Sequence, residues 1–141
     1  MILNLITAGP TGKIVKAKDS DEYGDDYAGY IRDTFADNEI RPAAYEKPFE
    51  AYLDDRGNVV GASVFGMRDH EGCFSVVVDN SARRQGVARK LVQSIIDQHR
   101  GVELVPWVVN RDMAKLLESM GFESDSRNGW SQDNPHMRLQ A

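Results

Sequence analysis

The chain has 141 residues, with 17 Lys and Arg against 22 Asp and Glu, a net charge of −5 and a hydrophobic share of 41%. That is enough chain to bury a core without metal or disulfide staples, and its acidity argues against a protein that coats nucleic acid, where affinity comes from many Lys and Arg contacts to phosphate. The lone Cys73 cannot form an internal disulfide, the scattered His70, His99 and His136 lack zinc-site spacing, and no apolar run approaches bilayer length.

The opening stretch, 1–13, is briefly apolar but lacks a basic leader and a full apolar segment. No secretory signal is therefore expected, and the cytoplasm is the expected compartment. From Ile14 to Lys18 apolar and cationic residues alternate, which predicts a half-buried strand. Asp19 and Glu22 have capping-box spacing, so a helix is predicted to start near Ser20 and to run over 22–37, with a break at Gly24. "FEAYL" and "NVVGASVFGM" read as strands on either side of the turn "DDRGN", and "GCFSVVV" as a third strand of one antiparallel meander.

Beyond the meander, Val87, Leu91 and Ile95 recur every four residues, as do Ala88, Val92 and Ile96. The two rows predict a helix packed on the sheet. "VELVPWVV" is a further strand in which Pro106, with no N–H, marks a bulge or a point where strands part. Asn110 can cap a helix over "RDMAKLLESM", which Gly121 stops, with Phe122 reaching back to Leu117. The tail reads as a turn and a short last strand. With no repeat and no linker, the order of elements predicts a single mixed α+β domain over 1–141.

Two charge clusters stand out. Asp19, Asp21, Glu22, Asp25 and Asp26 form one; Arg83, Arg84, Arg89 and Lys90 surround Gly86 at the second, where a strand turns into a helix. A helix start offers unpaired N–H groups and the positive end of a dipole, and a glycine there lets a ligand approach the backbone. Such a turn cradles an anion; equally, it is an ordinary solvated turn. Neither a GxxxxGK[ST] loop nor a GxGxxG fingerprint is present.

The hexapeptide "RRQGVA", Arg83 to Ala88, after "VVVDNSA" and before an amphipathic helix, resembles the R/Q-x-x-G-x-G/A signature of the GNAT superfamily of N-acetyltransferases. "NRDMAKLLESMGF" is similar to that family's later helix closed by Gly-Phe, and the resemblance spans roughly 12–139. It implies a mostly antiparallel central sheet with a splayed strand pair and helices on both faces. It also implies acetyl-CoA as co-substrate, its arm lying along Val76, Val77 and Val78. By the same resemblance, the diphosphate would rest on the backbone of Arg84, Gln85, Gly86, Val87 and Ala88, with Arg83 and Arg89 beside it, and Asn110 would touch the arm.

The implied reaction passes an acetyl group directly to a primary amine and needs a base, an oxyanion donor and a proton for the thiolate. Val78 offers a main-chain donor. Glu71 is the candidate base, ahead of its neighbours Asp69 and His70 and of Asp79; Cys73 has no triad partners. Where the family often carries a proton-donating tyrosine, this chain has Leu117, which leaves Ser119, Ser75 or water as the donor, a thiolate that departs unaided, or no catalysis. Tyr23, Tyr27 and Tyr30 among the acids suggest a cationic amine acceptor, small or on a protein, while packing explains the same tyrosines. A homodimer is compatible with the sequence. Against the enzyme stands a degenerate acyl-CoA-binding regulatory module, or a phosphate-binding or nucleic-acid-binding domain.

Overall fold

The structure, a computed structural model, describes residues 12–17, 27–83, 86–106, 111–124 and 137–140. The expected helix start near Ser20 and the acidic cluster lie outside these residues, as do Arg84, Gln85 and Asn110. Strand β1 (Lys13–Lys16) precedes helix α1 (Tyr27–Asp37), followed by β2 (Lys47–Leu53), β3 (Val59–Arg68) and β4 (Glu71–Val78). A short 3-10 turn at Asn80–Ala82 leads to α2 (Val87–Gln98), β5 (Glu103–Pro106), α3 (Arg111–Ser119), β6 (Glu123–Ser124) and β7 (Met137–Gln140). The strands lie in the order β1-β2-β3-β4-β5-β7-β6, and only the β4–β5 pair is parallel. The meander is as the alternation predicts. Strand β2 starts two residues before the expected Phe49, and the register shift between Pro48 and Glu50 supplies the irregularity that a proline in a strand needs.

Turn chemistry sets both hairpins. Asp54 accepts the N–H groups of Arg56 and Asn58 on Oδ1, each at 2.9 Å, closing the β2–β3 turn. The N–H of Asn58, then that of Arg56, holds the Asp54 carboxyl below its ordinary pKa. The β3–β4 turn places Asp69 and His70 at φ 50° and 69°, the pair of positive values that a two-residue hairpin of matching twist demands. Histidine is a poor choice there, since the left-handed region costs an L residue about 1–2 kcal/mol. Glycine relieves that cost, so His70→Gly should raise stability by about 1 kcal/mol, read as a higher urea midpoint with an unchanged slope.

Each face of the sheet carries helix. On one side Ile31 and Phe35 of α1 pack on Ala51, Leu53, Ala62, Val64 and Val77. On the other, Val87, Leu91, Val92, Ile95 and Ile96 of α2 meet Tyr52, Phe74, Val76, Val78 and Leu104, with Leu117 and Phe122 from the α3 end. The two apolar rows read from the sequence supply all five buried residues of α2, a burial worth on the order of 10 kcal/mol. Helix α3 ends as expected: the N–H of Phe122 reaches the Leu117 carbonyl at 3.0 Å and that of Gly121 the Glu118 carbonyl at 3.1 Å, a Schellman stop with Gly121 at φ 102°. No helix among the described residues is long and apolar enough to cross a membrane.

Candidate acetyl-donor site

Strand β4 pairs with β3 along its whole length, from Arg68↔Glu71 to Gly61↔Val78. Among the described residues its pairing with β5 runs from Glu71↔Glu103 to Phe74↔Pro106. Pro106 is thus the last partner described on that side, where its missing N–H is least costly. Past it, Val76, Val77 and Val78 line a cavity of about 550 Å³, together with Ala82, Arg83, Gly86, Val87, Ala88 and Arg89 and, from α3, Asp112, Met113 and Leu116. Eight of the eleven residues proposed from sequence to bind a cofactor lie within the described chain, and all eight line this cavity: the three valines, Arg83, Gly86, and the start of α2 through Arg89.

Gly86 is the N-cap of α2 at φ 81° and ψ 9°, with no side chain capping the helix. The first helical bond runs from Lys90 N–H to the Gly86 carbonyl at 3.1 Å, so the N–H groups of Val87, Ala88 and Arg89 have no helical acceptor. They carry the positive end of the helix dipole, and Arg89 adds charge in the first turn. Arg83 is anchored differently: its Nε donates to the Val78 carbonyl at 3.0 Å, bracing the end of β4 against the turn. A glycine in the left-handed region, three N–H groups without a helical acceptor and a cavity wall that, among the described residues, has no partner in β5 form a cradle that fits a diphosphate and an extended amide-bearing arm.

Neither candidate catalytic residue is in the lining of this cavity, although Ser119 contacts Arg89, which is. Glu71, at the far end of β4 and roughly 16 Å along the strand from Val76, is paired with Arg138 of β7, whose Nη1 also reaches Glu103 Oε1 at 3.0 Å. This clamp joins β4, β5 and β7 and commits the Glu71 carboxylate. Ser119 donates its hydroxyl to the Leu116 carbonyl at 2.6 Å and accepts from Arg89 Nη2 at 2.8 Å, so its proton serves the end of α3. Leu117 is fully buried in the core, and Leu116 and Met113 face the cavity instead. Asp79 accepts from Asn38 Nδ2 at 3.3 Å, tying the end of β4 to the end of α1. Burial, foremost, pushes the Cys73 thiol up, which suits packing rather than nucleophilic attack.

One group escaped the sequence reading. Glu46, in the turn before β2, is only 6% exposed. Its Oε1 accepts the Ala43 N–H at 3.0 Å and its Oε2 the Ser75 hydroxyl at 3.3 Å. Desolvation outweighs these two donors and raises its pKa. Within the raised window the folded chain keeps a proton that the unfolded chain has released, so this group's contribution to stability is lost as pH climbs from the ordinary glutamate range through the raised value. Glu46→Gln removes that loss: its urea midpoint should match the wild type at acid pH and exceed it increasingly towards alkaline pH.

With this geometry in place, comparison with known proteins is direct. The acetyltransferase (GNAT) domain profile matches residues 46–124. No curated protein sequence matches the chain. Among solved structures, a histone acetyltransferase HPA2 and related acetyltransferase from Corynebacterium glutamicum superposes with TM-score 0.62 at 16% identity, over 90% of this chain and 93% of that one. The ribosomal-protein-S18-alanine N-acetyltransferase of Escherichia coli gives 0.59 at 21% identity, covering 92% and 93%. A phosphinothricin acetyltransferase of Sinorhizobium meliloti, solved with AcCoA, gives 0.60 at 16% identity, covering 92% and 88%. These likenesses establish the fold, and the profile, which takes in β2 through β6 and the whole cradle at Gly86, establishes the family: the chain belongs to the GNAT acetyltransferases.

Proposed function

We propose that residues 1–141 act as one acetyltransferase domain that moves an acetyl group from acetyl-CoA to a primary amine by direct attack in a ternary complex. The observation that carries this reading is the α2 start at Gly86, which has no side-chain cap and opens on a cavity whose other wall is Val76 to Val78 of β4, beyond the last pair described with β5. Bound acetyl-CoA would supply the activated acyl thioester. The chain's part is to hold it: N–H groups of Val87, Ala88 and Arg89 take the diphosphate, Arg83 and Arg89 neutralise charge at the rim, and the main chain of Val76 to Val78 takes the arm. Arg84, Gln85 and Asn110 join this set by resemblance. The main chain at Val78 is the oxyanion donor closest to hand, and holding both reactants in line supplies most of the acceleration.

No tyrosine stands among the described residues of this wall; apart from the two arginines and the exposed Asp112, the cavity is lined by apolar side chains and Gly86. That observation favours the second reading, an acyl-CoA-binding module without turnover. Calorimetry with acetyl-CoA, followed by detection of free coenzyme A with a panel of amines, separates the two. Binding with amine-dependent thiol release supports the enzyme; binding with no release from any amine supports the module; no binding removes both.

A further inference from the structure

On the α1 side of the sheet lies a second cavity, of about 620 Å³, between α1, the turn leading into β2 and Val64 of β3. Its charges are sorted. Glu46 is buried in its wall, with only the neutral donors of Ala43 and Ser75. Arg32, Arg41 and Lys47 are exposed around it, and none of them forms an ion pair with a described residue; exposed Glu39 is the one other carboxylate of the lining. A buried carboxylate without a counter-ion is costly, and one set in the wall of a cavity is a candidate to receive a cationic group of a ligand. Glu50, equally buried, is likewise held by neutral donors, the Ser94 hydroxyl at 2.6 Å and the Gln98 amide at 3.0 Å, but it is not part of this cavity's lining.

This cavity adjoins the donor site. Ile40 lines both, and Ser75, which binds Glu46, is the residue before Val76. Resting on the acetyl-transfer reading above, we infer that this second cavity takes the acceptor, and that the acceptor is a small primary amine carrying an anionic group at its other end. The ammonium meets Glu46 at depth and the carboxylate or phosphate meets Arg32, Arg41 and Lys47 at the mouth. A polyamine would set its second cation against those three, so the cationic acceptor suggested by the acidic cluster is disfavoured here. Glu46 receives one proton from the ammonium. The freed nitrogen pair then bonds to the acetyl carbon, the C–S bond breaks with its electrons on sulfur, and the second nitrogen proton leaves with the thiolate as thiol. The proton on Glu46 returns to solvent between turnovers.

The test uses the full chain with acetyl-CoA and matched acceptors: α-amino carboxylates, their neutral carboxamides, aminoalkyl phosphates and alkyl diamines. The expected result is a kcat/KM for one of the two anion-bearing sets at least about tenfold above the carboxamides and the diamines, and which set leads tells carboxylate from phosphate. Glu46→Gln should lower kcat by about 100-fold and abolish the acid limb of the pH profile, while acetyl-CoA affinity in calorimetry holds. Because Glu46 is buried, a surface variant carries the test independently: Arg41→Glu with Lys47→Glu should raise KM for the anionic acceptors and improve the diamines. Carboxamides or diamines used equally well, or acetyl-CoA bound with no acceptor turned over, overturns this assignment and leaves the donor site standing. Failure of acetyl-CoA to bind overturns the parent reading and this one with it.

Discussion

Gly86→Glu should lower acetyl-CoA affinity by at least about 100-fold, equivalent to about 2.7 kcal/mol, while the fold survives. The residue sits at φ 81°, so any L side chain there meets a left-handed cost of about 1–2 kcal/mol. A carboxylate at a helix N-terminus returns about 0.3–1 kcal/mol through the helix dipole, which offsets part of that cost. The same carboxylate lies where the diphosphate would sit and competes for the N–H groups of Ala88 and Arg89. Gly57→Glu is the control, because Gly57 has a similar φ of 83° in the β2–β3 turn with open space around it. It should share the modest loss of stability and leave calorimetric affinity unaltered. Equal affinity in the two variants would show that the assigned cradle binds nothing.

Gly66→Ala should be the most damaging single-methyl change in the sheet, costing about 3 kcal/mol of stability and most of the turnover of whatever acceptor the chain uses. A Cβ at this position would run into the Tyr45 carbonyl and lie 3.1 Å from the Glu46 Cα, so the clash is with backbone, which cannot rotate away. The turn carrying Tyr45 and Glu46 must lift from β3. Glu46 would then lose its contact with Ser75, and the second cavity its shape. Thermal unfolding should report the stability loss, and acetyl-CoA affinity should change little, because the donor cavity lies on the other side of β4. A Tm unchanged within a degree would mean that the turn is free to move and that the close approach of Gly66 to it is incidental.

What local chemistry dictates could be read from the sequence, and what distant contact dictates could not. The meander follows from alternation and turn residues, α2 from its two rows of apolar residues, and the end of α3 from Gly121 and Phe122, each a matter of a few neighbouring positions. The donor site belongs to this class because a strand, a turn and a helix start follow one another within 76–89. Glu46 does not: nothing in "AAYEKP" sets it apart, and its burial arises from the approach of Ser75, 29 residues away. Likewise Glu71 looks free in the sequence and is occupied in the fold, since Arg138 reaches it from 67 residues off. The two-residue strand β6 has no pattern to read and exists only because β7 lies beside it.

Among the described residues Ile40 alone belongs to the walls of both cavities. A shared partition cannot shift for one guest without altering the lodging of the other, and equilibrium linkage makes that influence equal in both directions. Whatever factor acetyl-CoA imposes on acceptor affinity, the acceptor imposes on acetyl-CoA. With the two cavities filled as proposed, Ile40→Ala should therefore change the coupling between the two ligands, read as the ratio of acetyl-CoA affinities with and without acceptor in calorimetry.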